Sequence, residues 1–198
     1  MIAKAPSRCI RTGILTPMFY PKHHYMRNTL IAFGSMSFVL CALGVLYLDG
    51  YRYYMGSAYS KGIYQLTTQD GTYQHGDIVR FCPPDNPKAE IALERGYTHA
   101  GFCPGGFAPE TKQIRALHGD HVSLHHIVNI NGQDIPRAIV LDEDTHHQRM
   151  PHPDNLELGR GEYFLMSIDT PEEDFDSRYY GSVPAENILG VLRPIWTW

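Results

Sequence analysis

The chain has 198 residues, room for one modest domain and an appendage but not for two full domains. Its 43% hydrophobic content, 18 glycines and 14 prolines exclude a collagen-like or low-complexity chain, and a net charge of -4 argues against a general nucleic-acid binder. The charge is uneven: residues 1–28 carry five basic side chains and no acid, so the remaining residues sum to -9.

The first predicted element is Thr29–Leu48, twenty residues without a charge. As a helix it spans about 30 Å, the depth of a bilayer's hydrocarbon core. Arg27 and Asn28 precede it; Asp49, Gly50 and the Tyr51/Tyr53/Tyr54 cluster follow at interface depth. A cleavable signal peptide shares the basic start. This run, however, begins late, is long, and lacks a small-x-small cleavage site after it. The expectation is an uncleaved single-pass anchor, N-terminus in and C-terminus out. By the positive-inside rule, residues 1–28 are cytoplasmic, residues 29–48 span, and residues 49–198 form a body outside.

That orientation sorts the cysteines. Cys9 is expected on the cytoplasmic side and Cys41 within the span, leaving Cys82 and Cys103 in an oxidising compartment as an expected disulfide. A zinc site is disfavoured because neither belongs to a CxxC pair.

The body reads as mainly β, an antiparallel domain with a short helix. Strands are expected at 62–68, 77–82, 111–117, 121–130, 137–141, 162–168 and 187–193. Asn131-Gly132 is the strongest hairpin signal. The helix runs through Lys88–Arg95, capped by Asp85 or Asn86, with Pro87 in its first turn and Gly96 at its stop. Residues 145–158 and 169–177 read as loops, the acidic run from Pro171 to Asp174 as solvated surface.

Four segments are more specific: Gly56–Leu66 (GSAYSKGIYQL), Gly76–Pro84 with Arg95–Gly106, Thr111–Leu124 with Asn129–Gly132, and Asp174–Gly181 (DFDSRYYG). In this order behind an N-terminal span, they resemble the TraF-type peptidases of bacterial conjugation systems, relatives of the type I signal peptidases.

The resemblance implies a bacterial inner-membrane anchor with residues 49–198 as a periplasmic domain, and a serine–lysine dyad acting on exported substrates at the membrane surface. Lys112 stands at the position of the general base. Such a lysine must be neutral to take a serine proton, and apolar burial favours that form. On a strand, Lys112 shares a face with Ile114 and Ala116.

The family's S-x-P-x-G-x-Y stretch, aligned on Gly62 and Tyr64, puts Ala58 at the nucleophile's place. Ser57 is then the nucleophile by a one-residue loop shift, Ser60 is the alternative, and an inactive site is the third reading. Ser57 lies nine residues past Leu48, within about 30 Å of the span even if extended. Asp176, Ser177 and Arg178 match a segment that supports the lysine, with Asp176 and Arg178 expected as an ion pair. Implied partners are a pilin precursor or another exported, membrane-associated substrate and the lipid bilayer, with no nucleic acid. No cofactor is expected, and no His/Cys spacing indicates a metal.

Overall fold

The computed structural model describes residues 22–55, 59–69, 71–153, 156–167 and 174–198. It resolves into two compact units, residues 1–44 and 45–198. Helix α1 (Lys22–Leu48) contains a stretch, Tyr25–Leu48, long and apolar enough to cross a membrane and exposed along its whole length. It begins seven residues before the uncharged run, since the polar residues ahead of Thr29 are compatible with a helix.

The body is antiparallel throughout. Strands β1 (Tyr51–Tyr54), β2 (Gly62–Thr67), β3 (Ile78–Phe81), β4 (Glu110–Leu117), β9 (Glu162–Met166), β10 (Val183–Pro184) and β11 (Ile188–Thr197) make one sheet, in the order β1-β2-β11-β3-β4-β9-β10. Strands β5 (His121–Leu124), β6 (Ile127–Ile130), β7 (Gln133–Ile139) and β8 (Leu156–Glu157) make a second, in the order β7-β6-β5-β8. The tyrosine cluster expected only as an interfacial belt is strand β1, hydrogen-bonded to β2.

Two cores share the central strands. Val79, Phe81, Ile114, Leu165 and Tyr179 belong to one; Ala116, Val122, Val128, Phe164 and Met166 belong to the other. Strand β9 serves both because Tyr163 and Leu165 face one way while Phe164 and Met166 face the other, so its unbroken apolar run is buried on both sides. Strand β4 serves both through a bulge between Ile114 and Ala116, which pair with Leu165 and Phe164 respectively. The expectation that Ala116 shares a face with Lys112 is therefore corrected. Lys112 and Ile114 are on one face, and the bulge turns Ala116 into the other core.

The hairpin at Asn131-Gly132 is present, with φ of 53° and 82°, joining β6 to β7. The single strand expected over 121–130 is two: β5 and β6 pair with each other, turning at His125-His126. That turn contains no Gly, Pro or Asn, the residues that mark such a reversal in sequence. Within the expected loop 145–158, Leu156–Glu157 forms β8 on the edge of the small sheet.

Helix α2 (Pro87–Glu94) is capped by Asn86, whose Oδ1 accepts from the backbone N–H groups of Lys88 and Ala89 at 3.0 and 2.9 Å. Gly96 follows the helix with φ +74°, a conformation that favours glycine. Cys82 and Cys103 are joined in a disulfide with Cα atoms 5.5 Å apart. The bond clamps both ends of the excursion that carries α2 and the segment Tyr97–His99. Helix α3 (Ser177–Tyr180) is one buried turn.

Candidate active site

Lys112 is the point at which the sheet becomes chemical. Strand register determines its neighbour: Gln113 pairs with Met166, so Lys112 comes beside Ser167, the next residue past β9. Lys112 is 6% exposed. Its Nζ donates to Ser167 Oγ at 3.1 Å and lies 2.9 Å from Asp174 Oδ1. Ser167 Oγ in turn donates to Asp174 Oδ2, closing a lysine–serine–aspartate triangle. The expected apolar seat for the lysine is thus replaced by two polar partners.

Neither partner was singled out from sequence. The expectation of a solvated acidic run is corrected at Asp174, whose side chain is partly buried and paired with Lys112. The available signal was its place two residues before Asp176, inside the segment that carries the family resemblance. Ser167 had no local signal, because only the pairing of β4 with β9 brings it to Lys112.

The three residues read as site-supporting are all fully buried: Asp176, Ser177 and Arg178. Arg178 forks onto Asp176, with Nε to Oδ1 at 2.8 Å and Nη2 to Oδ2 at 2.9 Å. Its Nη1 donates to the Ile139 carbonyl at 2.6 Å, and Nη2 also reaches the Asp174 carbonyl at 2.9 Å. The guanidinium therefore fixes the backbone of the residue whose carboxylate meets Lys112. Burial opposes its charge, but Asp176 outweighs that and pushes the guanidinium further up. Ser177 Oγ accepts from the Leu165 N–H at 3.0 Å, tying this segment to β9.

Lys112 opens onto a pocket of about 350 Å³ lined by residues that include Tyr54, Tyr97, Thr98, Glu110 and Asp174. Tyr54 stacks on Tyr59 with ring centroids 3.7 Å apart. Burial pushes the Tyr59 hydroxyl up against the opposing pull of its hydrogen bond with Thr111, the neighbour of Lys112. These two tyrosines flank the serine-containing stretch. Ser57 and Ala58 themselves lie outside the described residues. Ser60 is exposed, its carbonyl accepts from the Tyr64 hydroxyl at 2.6 Å, and no hydrogen bond joins it to Lys112 among the described residues.

The antiparallel β body thus holds a buried strand lysine beside an open pocket, and an apolar helix precedes it. The chain belongs to the signal peptidase family, peptidase S26, whose model matches residues 24–198. A plasmid transfer protein TraF from Escherichia coli is 33% identical over 171 residues, 85% of this chain and 94% of the relative. A conjugal transfer protein TraF from Agrobacterium fabrum (strain C58) is 32% identical over 165 residues, 83% of this chain and 93% of the relative. A signal peptidase I from Enterococcus faecalis V583 aligns at TM-score 0.36 and 18% identity, covering 64% of this chain and 100% of that one. Membership rests on the sequence matches.

Proposed function

We propose that the protein is a membrane-anchored serine endopeptidase or transpeptidase that matures a pilin precursor or another exported component of a conjugation apparatus. The observation that carries this reading is Lys112, buried at the wall of an open pocket and held from two sides by Ser167 and Asp174. A neutral lysine amine has two N–H groups and one lone pair. If Ser167 and Asp174 occupy the two N–H directions, the lone pair is left for a serine hydroxyl arriving from the pocket.

In this reading Ser57 is the nucleophile and Ser60 the alternative. The serine proton passes to Lys112 Nζ and the oxygen bonds to the substrate's peptide carbonyl carbon. Collapse of the adduct breaks the C–N bond, and Lys112 returns the proton to the leaving amine. Water then releases an acid, or a substrate amine releases a new amide. Asp174 and Ser167 orient the lysine, while Arg178 and Asp176 hold Asp174 in place. The name TraF borne by the relatives supports a conjugation substrate. The basic N-terminus supports a cytoplasmic start and a periplasmic body.

One residue favours a second reading, a non-catalytic assembly protein on the same fold: Ala58 stands at the aligned nucleophile position. Intact-mass analysis of a pilin precursor co-expressed with the chain decides between them. Lys112→Ala and Ser57→Ala are each expected to lower processing at least about 100-fold, with Ser60→Ala near wild type. A product one water lighter than the linear peptide identifies transpeptidation. An untouched precursor in every sample, where an active relative processes it, establishes the assembly reading.

A further inference from the structure

Glu110 lies two residues before Lys112 on the same face of β4, about 7 Å away along the strand, and lines the same pocket. Its carboxyl is unlike the others at the site. Asp174 has Lys112 and Asp176 has Arg178, whereas Glu110 is held among the described residues by one hydroxyl, Thr98 Oγ1 donating to Oε1 at 2.6 Å. Lys112 is already engaged by Asp174 and Ser167. Arg80 and His99 also line the pocket, and among the described residues neither is hydrogen-bonded or ion-paired to Glu110. Burial pushes the Glu110 carboxyl up, Lys112 and Thr98 pull against it, and the Asp174 and Asp176 charges add to the rise. The pocket wall therefore holds a carboxyl that, among the described residues, has a neutral hydroxyl as its hydrogen-bond partner and forms no ion pair.

We propose that Glu110, oriented by Thr98, makes the pocket beside Lys112 a receptor for an ammonium group of the peptide substrate. The inference rests on the peptidase reading for the word substrate, and on the pocket alone for the chemistry. An ammonium donates to the carboxyl and balances its charge in one contact, which a neutral amide does half of. Two sources carry that group, a lysine side chain and a free peptide N-terminus. The second would hold an amine beside the acyl-enzyme, where it can serve as the acceptor in transpeptidation.

The test is binding, not cleavage. Full chain in detergent micelles is titrated with three dipeptide amides, followed by saturation-transfer NMR: acetyl-Ala-Lys-amide, Ala-Gln-amide with a free N-terminus, and neutral acetyl-Ala-Gln-amide. At least one ammonium probe is expected to bind about tenfold tighter than the neutral one, and the winning probe names the source. Glu110→Gln, which keeps the volume and an acceptor for Thr98, is expected to erase that preference, and Thr98→Val to weaken it. Equal binding of the three probes, no binding by any, or a preference that survives Glu110→Gln overturns the proposal. Because no bond is cut, loss of processing in the dyad variants and loss of ammonium preference are read separately.

Discussion

Arg178 and Asp176 illustrate how a buried charged pair can hold a candidate site through the backbone of one of its residues. Both side chains are fully buried, and Asp176 also caps α3 by accepting from the Arg178 N–H at 3.1 Å. Replacing Asp176 by Asn removes the charge that compensates a buried guanidinium while keeping the shape. The expected cost is roughly 3–5 kcal/mol of stability, because breaking a buried pair strands its partner in a low-dielectric interior. Chemical denaturation of the detergent-solubilised chain measures it. An unchanged midpoint would mean that the contacts to Ile139 and Asp174 suffice to hold the guanidinium. Lys112 and the Asp176–Arg178 segment could be read in advance because their spacing repeats a family pattern over contiguous residues. Asp174 lies inside that pattern too, whereas Ser167 could not be read, because what defines it is a neighbour 55 positions away.

Elements show the same division. The Asn131-Gly132 turn and the Asn86 cap are local events, dictated by residues that accept left-handed backbone or that offer a carbonyl to a helix start. Asp120, between β4 and β5, ties two such elements together. Burial pushes its carboxyl up, but donors from the Leu117 N–H, the Asn131 amide and His75 outweigh that and hold it below the ordinary range. His75 Nε2 is 2.6 Å from Oδ2 and Asn131 Nδ2 is 2.6 Å from Oδ1. A folded pKa below the unfolded one gives stability that is full above the unfolded value and is lost as pH falls through the folded one. Asp120→Asn is therefore expected to cost about 1 kcal/mol at pH 7, the difference between charged and neutral hydrogen bonds. Its deficit should shrink as the pH drops below about 4. Thermal melts of both proteins at pH 7 and pH 3 test this, and an equal deficit at both would assign the loss to packing.

On the scale of the whole body, the edge that follows α1 in the chain is apolar and open. Tyr53, Met55, Ile195, Trp196 and Trp198 are each more than half exposed. Trp198 lies 6.0 Å from the Tyr53 ring and 5.5 Å from Trp196. Strand β1 is bound to the end of the helix: Arg52 Nη1 donates to the Tyr47 carbonyl at 2.7 Å and stands 3.9 Å over the Tyr47 ring. Tryptophan and tyrosine concentrate at membrane–water interfaces, so this edge suits the proposed anchored body. The chain has two tryptophans and both belong to this patch, which makes intrinsic fluorescence a clean reporter. In vesicles of brominated phospholipid the emission of the full chain is expected to be strongly quenched relative to unbrominated vesicles. Equal emission in the two would place the patch in water or against protein.

The sequence alone determined the spanning-length apolar helix, the mainly antiparallel body, the Cys82–Cys103 pairing and the family. Each of these follows from composition, short-range periodicity or contiguous motifs, which survive without knowledge of what packs on what. Tertiary structure decided the turn at His125-His126, the bulge that turns Ala116 away from Lys112, and the polar company of that lysine. Those depend on strand register, and register is a property of two strands at once: residues distant in the chain become neighbours only when both faces of β9 are buried together.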